Sequence, residues 1–199
     1  MHHARTGLIL AYHGCDKSVA DKIISENGEL KGSANAYDWL GPGVYFWENS
    51  YSRALDFAKE LKNKSKSKVN KPAVIGAVID LGNCLNLLDF ENLKLVKEAY
   101  ESLKDFINDS NMPLPKNSAG NDLLLRYLDC AVIQTLHQLR ETSDLPNFDS
   151  VRGLFSEGKE LYPQAGFKAK DHIQLCIRNS NCIKGYFHPK KPNSKLPII

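Results

Sequence analysis

The fold of this chain is decided by two short segments near its beginning. They are Leu8-Ile9-Leu10-Ala11-Tyr12-His13-Gly14 and Gly41-Pro42-Gly43-Val44-Tyr45-Phe46-Trp47. Each contains an apolar, β-capable run next to glycine, which is typical of a short buried strand with a turn beside it. The first strand is predicted to end at His13 and Gly14. A helix is expected after each strand, because apolar residues then recur at helical spacing behind N-cap residues.

The rest of the chain predicts an α+β fold with a helical middle. The further predicted elements are strands at residues 72–81, 85–88, 151–155 and 173–177, an edge at 186–187, and helices within 90–107 and 123–139. Residues 85–88 are expected to continue the preceding strand or to pair with it. The two helices form an insertion of about residues 90–145, and an extended tail is predicted for residues 188–199.

Length and composition indicate one globular domain spanning residues 1–199. The chain is 42% hydrophobic and 25% charged, values near the average for globular proteins. No apolar run approaches the roughly 20 residues of a membrane-spanning helix, and no secretory signal is recognisable. Five cysteines without CxxC spacing predict neither a disulfide framework nor a zinc site. We therefore expect a cytoplasmic protein with no metal and no membrane partner.

Net charge says little about a partner, but two local clusters of basic residues are informative. The formal net charge is only +3. Residues 59–71 carry six lysines and one acid, which fits a solvated connector or a phosphate-contacting patch. A second cluster lies around the last predicted strand and consists of Arg152, Lys159, Lys168, Lys170 and Arg178. It either steers a nucleic-acid phosphate or coats a solvated loop.

Several common catalytic motifs are absent from the sequence. The Gly41-Pro42-Gly43 turn is not a GxGxxG fingerprint, and there is no P-loop, GxSxG elbow or HExxH helix. Cys15 has no base nearby except His13, which is too close in sequence for a catalytic triad. Dinucleotide-fold dehydrogenases and the common hydrolases are therefore disfavoured.

Three motifs follow one another in a recognisable order. A His13-Gly14 pair closes the first strand, a Gly-x-Gly-Val-Tyr-Phe segment opens the second, and residues 170–179 supply a third motif on a late strand. In this order they resemble the ADP-ribosyltransferase superfamily, in its diphtheria-toxin-like and poly-ADP-ribose-polymerase-like branch. The resemblance implies split antiparallel β-sheets around an NAD cleft, with a helical insertion that the family pattern does not account for.

The resemblance also implies roles for individual residues in an enzyme that splits NAD at its nicotinamide–ribose bond. His13 would bind the adenosine ribose, and Tyr45 and Phe57 would sandwich the nicotinamide ring. The backbone of Gly14 and the hydroxyl of Ser52 would hold the carboxamide.

Gln174 stands where the family usually has a glutamate. It would hold the nicotinamide ribose, but an amide cannot take a proton. Glu157 and Glu160, in the loop before the last strand, are the candidate acceptor-side acids, and Asp171 and His172 are close in sequence. Either one of these acids serves, or the glutamate has been replaced, or the domain is catalytically weak.

The expected function is mono-ADP-ribosyl transfer from NAD to a macromolecular acceptor, either a nucleic acid such as RNA or a protein. Similar proteins are often toxins of toxin–antitoxin or phage-defence systems, so an antitoxin or chaperone partner is expected, with residues 196–199 as a docking segment. Two alternatives stay open. Gln174 favours a catalytically silent module that binds NAD or ADP-ribose. The lysine run, with His13, His137 and His172, favours a nucleic-acid-binding or nuclease-like domain.

Overall fold

The computed structural model describes residues 7–190, which form one seven-stranded mixed sheet and four α-helices. In chain order the elements are β1 (Ile9–Asp16), α1 (Lys17–Ser25), β2 (Val44–Glu48), α2 (Tyr51–Lys62), β3 (Pro72–Ile79), β4 (Cys84–Asn86), α3 (Phe90–Asp109), α4 (Tyr127–Thr142), β5 (Ser150–Phe155), β6 (His172–Ile177), a 3-10 helix (Ser180–Cys182) and β7 (Ile183–Phe187). The strand order is β4-β5-β6-β2-β1-β3-β7. The predicted α+β class is confirmed.

Strand β1 runs farther than the sequence predicts. The expected end at His13 and Gly14 is wrong, because β3 pairs antiparallel with β1 over all eight of its residues. Asp16 then acts as the N-cap of α1, and its carboxylate accepts a hydrogen bond from the Ser18 backbone N–H at 2.9 Å. His13 therefore projects from a paired strand and not from a loop.

The junction between β1 and β2 is the shortest antiparallel pairing in the described sheet. Two residue pairs join these strands, Ala11 with Glu48 and Tyr12 with Trp47, whereas β2 and β6 share four. The expectation of two separate antiparallel sheets is corrected here, because hydrogen bonds connect all seven strands and β4 pairs with β5 in parallel. The two halves of the sheet are nevertheless held together over only a short distance.

Alternation along β2 directs its side chains to different cores. Phe46 joins a core with Leu175 on one face of the sheet. Tyr45 packs on the other face with Val151, under α3 and α4. Trp47 belongs to a small cluster beneath α2. Two aromatic side chains of one short strand are thus directed toward the helical insertion and α2.

Helix α2 packs closely on β1 because residue 14 is glycine. A Cβ atom at Gly14 would lie 2.1 Å from the carbonyl oxygen of Ala54, and such a contact is not tolerated. The helix can therefore approach the strand only where no side chain intervenes.

The predicted helical insertion is present as α3 and α4, which pack together over the second core. The segment between them reaches the loop that joins β5 to β6. The carboxylate of Asp122 accepts hydrogen bonds from Lys168 Nζ at 2.7 Å and from the Gly158 N–H at 2.9 Å. The Arg126 guanidinium lies 4.9 Å from the centre of the Phe155 ring. One role of the insertion is therefore to hold the β5–β6 loop.

The remaining expectations concern the strands after β3, the cysteines, membrane-spanning helices and the end of the chain. The segment after β3 neither continues it nor pairs with it; β4 pairs with β5 instead. The edge strand expected near the end is β7, paired with β3. All five cysteines are free thiols. No helix within residues 7–190 is long and apolar enough to cross a membrane. The proposed docking segment, residues 196–199, lies outside the described residues.

Candidate functional site

A cavity of about 510 Å³ opens beside the junction of β1 and β2. Its wall is formed by β1, β2, β5, β6, helix α2, the β5–β6 loop, the loop around residues 31–39 and residues 124–125 of the insertion. The size is within the range of small-molecule binding sites. The predicted site residues that border it are His13, Tyr45, Phe57, Glu157 and Gln174.

Three predicted site residues are positioned elsewhere. Gly14 is covered by α2, and the side chain of Ser52 is on the solvent-facing side of that helix. Glu160 is exposed, and its carboxylate accepts a hydrogen bond from the Gln164 N–H at 3.1 Å, which stabilises the loop itself. None of the three is part of the cavity wall.

His13 is held in one tautomer. Its Nδ1 lies 2.7 Å from the carbonyl oxygen of Tyr45, and because a carbonyl can only accept, Nδ1 donates and Nε2 keeps its lone pair. Burial lowers the pKa of His13, against the opposing effect of this hydrogen bond, so the ring is neutral at pH 7. Its Nε2 can therefore accept a hydrogen bond from a hydroxyl group.

The hydroxyl of Tyr45 is committed to the protein. It accepts a hydrogen bond from the Leu40 N–H at 3.0 Å and donates one to the Gly41 carbonyl at 2.8 Å. Burial raises the pKa of Tyr45 far above its ordinary value, so the phenol stays protonated. A ligand can use the ring of Tyr45 but not its hydroxyl.

Aromatic rings make up much of the wall. The Trp47 and Phe57 ring centres are 4.8 Å apart, and those of Trp39 and Phe155 are 5.0 Å apart. Sequence reasoning identified Phe57 but missed the other three. Trp47 could have been found, because it is two residues after Tyr45 in the same strand and therefore shares its face.

Gln174 is oriented by Trp39. The indole Nε1 donates to Gln174 Oε1 at 2.6 Å, and since an indole only donates, the oxygen of the amide must face it. The amide nitrogen of Gln174 remains as a donor. Gln174 can thus donate to a ligand hydroxyl, but it cannot act as a base.

A group of charged residues connects α2 with the β5–β6 loop. Arg53 forms an ion pair with Glu157, and each of these side chains is only 11% exposed. Arg53 Nη1 is also 3.8 Å from Glu60, which itself pairs with Lys170. Sequence reasoning missed Arg53, although it lies one helical turn before Phe57 and on the same face. The ion pair holds Glu157 at the cavity wall.

Four buried polar atoms of the wall have no hydrogen-bond partner among the described residues. They are Trp47 Nε1, Arg53 Nε, Arg53 Nη1 and His172 Nε2. The Arg53 guanidinium carbon lies 5.6 Å from the Trp47 ring centre, and the Trp47 and His172 ring centres are 6.0 Å apart. Buried polar groups are usually paired, so a cluster of unpaired ones marks a place for a ligand or for ordered water.

Two exposed lysines stand at the rim of the cavity. Lys31 comes from the loop after α1, and Lys64 comes directly after the C-cap of α2. Neither forms an ion pair within the described part of the chain. Lys64 belongs to the basic run at 59–71, so one member of that run faces the cavity.

The second predicted basic cluster is largely neutralised. Arg152 is buried and bound by Glu48, with Nε 2.6 Å from a carboxylate oxygen. Lys168 and Lys170 each pair with an acidic side chain. A carboxylate thus accompanies three of its five cations.

The three histidines of the nuclease-like alternative do not meet. His13 and His172 border the cavity, whereas His137 is buried on α4 with its ring centre 5.9 Å from that of Phe148. Nor does any group of three or more histidine, cysteine or acidic side chains within residues 7–190 have an arrangement that could hold a metal ion.

Comparison with known proteins identifies a relative that spans most of both chains. An uncharacterised protein of Methanocaldococcus jannaschii is 27% identical over 191 residues, which is 87% of this chain and 83% of the relative. No family model matches the chain. No solved structure matches it either. A function has to be argued from the cavity and its residues.

Proposed function

We propose that this protein transfers ADP-ribose from NAD to a macromolecular acceptor. One observation supports this most: His13, Tyr45, Phe57 and Gln174, which are far apart in sequence, border the same cavity. They are the residues to which the family resemblance assigns NAD contacts. The short β1–β2 pairing leaves the opening in which they meet.

The aromatic side of the cavity suits the nicotinamide ring. That ring is a cation in NAD, and cations are attracted to the faces of aromatic side chains. Phe57 and Trp47 present adjacent rings, and the fixed ring of Tyr45 is on the same wall. This side of the site would also exclude water from the bond that breaks.

The polar side suits the rest of the dinucleotide. His13 Nε2 can accept from a ribose hydroxyl, and the Gln174 amide can donate to one. Lys31 and Lys64 at the rim match the negative charge of a diphosphate. The acceptor and the donor in the cavity thus match the ribose hydroxyls of NAD, and the two lysines match its diphosphate.

NAD supplies the leaving group, because nicotinamide departs when the glycosidic bond breaks. Positive charge then develops on the ribose, and a nearby carboxylate would stabilise it. Glu157 is the acid best placed for this task. Of the three carboxylates that border the cavity, Glu157 is buried, whereas Asp38 and Glu60 are partly exposed.

A second candidate is a silent module that binds NAD or ADP-ribose without transfer. It is favoured by Gln174, whose amide stands where a carboxylate would assist the chemistry. The toxin role and an antitoxin partner remain predictions; inducible expression in a bacterial host would test them, with growth arrest as the expected outcome. Expression without an effect on growth would contradict a toxin role.

The test uses labelled NAD, supplied with RNA, DNA or lysate proteins in separate reactions. Label transfer to one acceptor class supports the enzyme, and saturable binding without transfer supports the silent module. Nucleic-acid binding or cleavage that does not need NAD would support the nuclease-like alternative and contradict the proposed function.

Two phenylalanine variants provide a matched comparison. Phe57→Ala removes a ring from the cavity and should weaken NAD binding by about 1–3 kcal/mol, the usual worth of an aromatic stack. Phe90→Ala removes a 70% exposed ring on α3 and should leave NAD binding unchanged. Equal affinities of the two variants would count against the cavity as the NAD site.

A further inference from the structure

We infer that His172 is the general base of this site and that the group it activates on the acceptor is a hydroxyl. This role rests on the ADP-ribosyl transfer proposed above. It adds which residue acts as the base and which functional group of the acceptor reacts. Three features lead to it: the fixed orientation of His172, the unpaired atoms around its Nε2, and the engagement of the other candidate bases.

His172 is rigidly held at the start of β6. Its Nδ1 donates to the Lys170 carbonyl at 2.7 Å, which leaves the lone pair on Nε2. The ring centre is 6.0 Å from that of Trp47 and 5.5 Å from that of Phe155. The residue is 8% exposed, borders the cavity and has no partner for Nε2 among the described residues.

The unpaired atoms match one kind of functional group. Trp47 Nε1, Arg53 Nε and Arg53 Nη1 are donors, and His172 Nε2 is an acceptor. A hydroxyl can donate its proton to His172 Nε2 and accept hydrogen bonds from two of the donors. A carboxylate would leave His172 unpaired, and a guanidinium would leave the donors unpaired. Of these three groups, only a hydroxyl pairs with both the acceptor and the donors.

Three other polar side chains at the cavity are less suited to act as the base. Gln174 cannot take a proton, and Glu157 is bound by Arg53. His13 has a free Nε2, but its ring lies on the β1 side and no carboxylate offsets the effect of burial on its pKa. His172 differs because acidic side chains face it.

The charges around His172 suit a base that works near neutral pH. Burial lowers the pKa of His172, and the Arg53 guanidinium of α2 acts in the same direction. Hydrogen bonding to Lys170, the Glu157 carboxylate of the β5–β6 loop and the neighbouring Asp171 oppose these effects. The Lys170 ammonium is paired with Glu60. The ring is thus neutral at pH 7, and Glu157 stabilises the imidazolium that forms when it accepts a proton.

The transfer step balances without any further reactant. The bond between ribose C1′ and the nicotinamide nitrogen breaks, and its electron pair stays on that nitrogen, so neutral nicotinamide leaves. The hydroxyl oxygen of the acceptor forms the new bond to C1′. Its proton moves to His172 Nε2, and from there to solvent after the product departs.

Small nucleophiles test the inference without knowledge of the natural acceptor. The full chain is incubated with NAD and methanol, acetate or agmatine, and nicotinamide release and the ADP-ribosyl products are measured. We expect the methyl glycoside of ADP-ribose, together with some hydrolysis by water, and no adduct with acetate or agmatine. An adduct with acetate or agmatine in place of the methyl glycoside would overturn the selection of a hydroxyl.

Two substitutions test the base itself. His172→Gln and His172→Asn should lower the rate of methyl glycoside formation by about 100-fold or more, because general bases contribute at least this much. NAD affinity and thermal unfolding should stay close to those of the parent chain. The fall in rate at acid pH that belongs to His172 should vanish in both variants. His188→Gln changes an exposed histidine away from the cavity and should have no effect.

The possible failures are distinguishable. If the parent chain does not bind NAD, both the proposed function and the role of His172 fail. If the parent chain transfers ADP-ribose and the His172 variants transfer it equally well, only the role of His172 fails. Loss of NAD binding in folded His172 variants would also overturn the base role, since it would assign His172 to binding. NAD binding by the parent chain with no release of nicotinamide would overturn the base role and support the silent module.

Discussion

Replacement of Gly14 by alanine separates a packing role of this glycine from a ligand-binding role. The new Cβ would lie 2.1 Å from the Ala54 carbonyl oxygen and 3.2 Å from the Ala58 nitrogen. Both are backbone atoms of α2, so no rotation of a side chain relieves the clash. The helix would have to move by roughly 1 Å or more, which disrupts the packing beneath it.

The expected cost follows from this geometry. Overpacking of a well-packed interior costs about 1–3 kcal/mol, and a clash with backbone belongs at the upper end. The lower chain entropy of unfolded alanine offsets about 0.4–1 kcal/mol of this. The net loss in free energy of unfolding is therefore about 2 kcal/mol, which corresponds to a fall in Tm of about 4–8 °C for a domain of this size.

The assay is urea and thermal unfolding of Gly14→Ala beside a matched control. Gly185→Ala adds the same methyl group in β7, where no atom lies within 4 Å, and should unfold like the parent chain. If Gly14→Ala is as stable as Gly185→Ala but binds NAD poorly, the packing explanation is refuted and a direct contact of Gly14 with the ligand is favoured.

Three further predictions follow from the contacts of the site and of the insertion. Trp39→Phe leaves Gln174 Oε1 without its donor and should lower the free energy of unfolding by about 1–2 kcal/mol in urea titrations; an unchanged value would contradict the hydrogen bond. Arg53→Ala leaves Glu157 buried and unpaired and should cost about 3–5 kcal/mol, of which Glu157→Gln in the same chain should restore a part; a double-mutant cycle without coupling would argue against the ion pair. Burial lowers the pKa of His137 to about 4, so the unfolded chain binds a proton first and stability should fall by up to about 3 kcal/mol as the pH drops from about 6.5 to 4. His137→Phe should reduce this dependence of stability on pH. The same pH dependence in the variant and the parent chain would contradict its assignment to His137.

Local sequence patterns predicted where the helices and strands lie better than they predicted which strands pair with each other. The apolar runs and helical periods located the strands and both helices of the insertion within a few residues. The extent of β1 depended on its pairing with β3, and the parallel pairing of β4 with β5 depended on chain segments far apart. A local hydrophobic pattern does not indicate which distant strand a given strand pairs with.

The sequence predicted the residues of the candidate site that belong to a motif. His13, Tyr45 and Gln174 belong to the three ordered motifs, Phe57 lies on the helix after the second motif, and the structure brings all four to one cavity. The residues that orient them were missed because they come from distant positions. Trp39 is 135 residues from Gln174, and Arg53 is 104 residues from Glu157. Such contacts arise only when the loop after α1 and the β5–β6 loop close over the sheet.

A crystal structure of the protein with NAD tests the central claim most directly. We expect the nicotinamide ring against Phe57 and Trp47, with a hydroxyl of the adenosine ribose within hydrogen-bond distance of His13 Nε2. NAD bound on another surface, or a cavity that stays free of NAD at saturating concentration, would contradict the account.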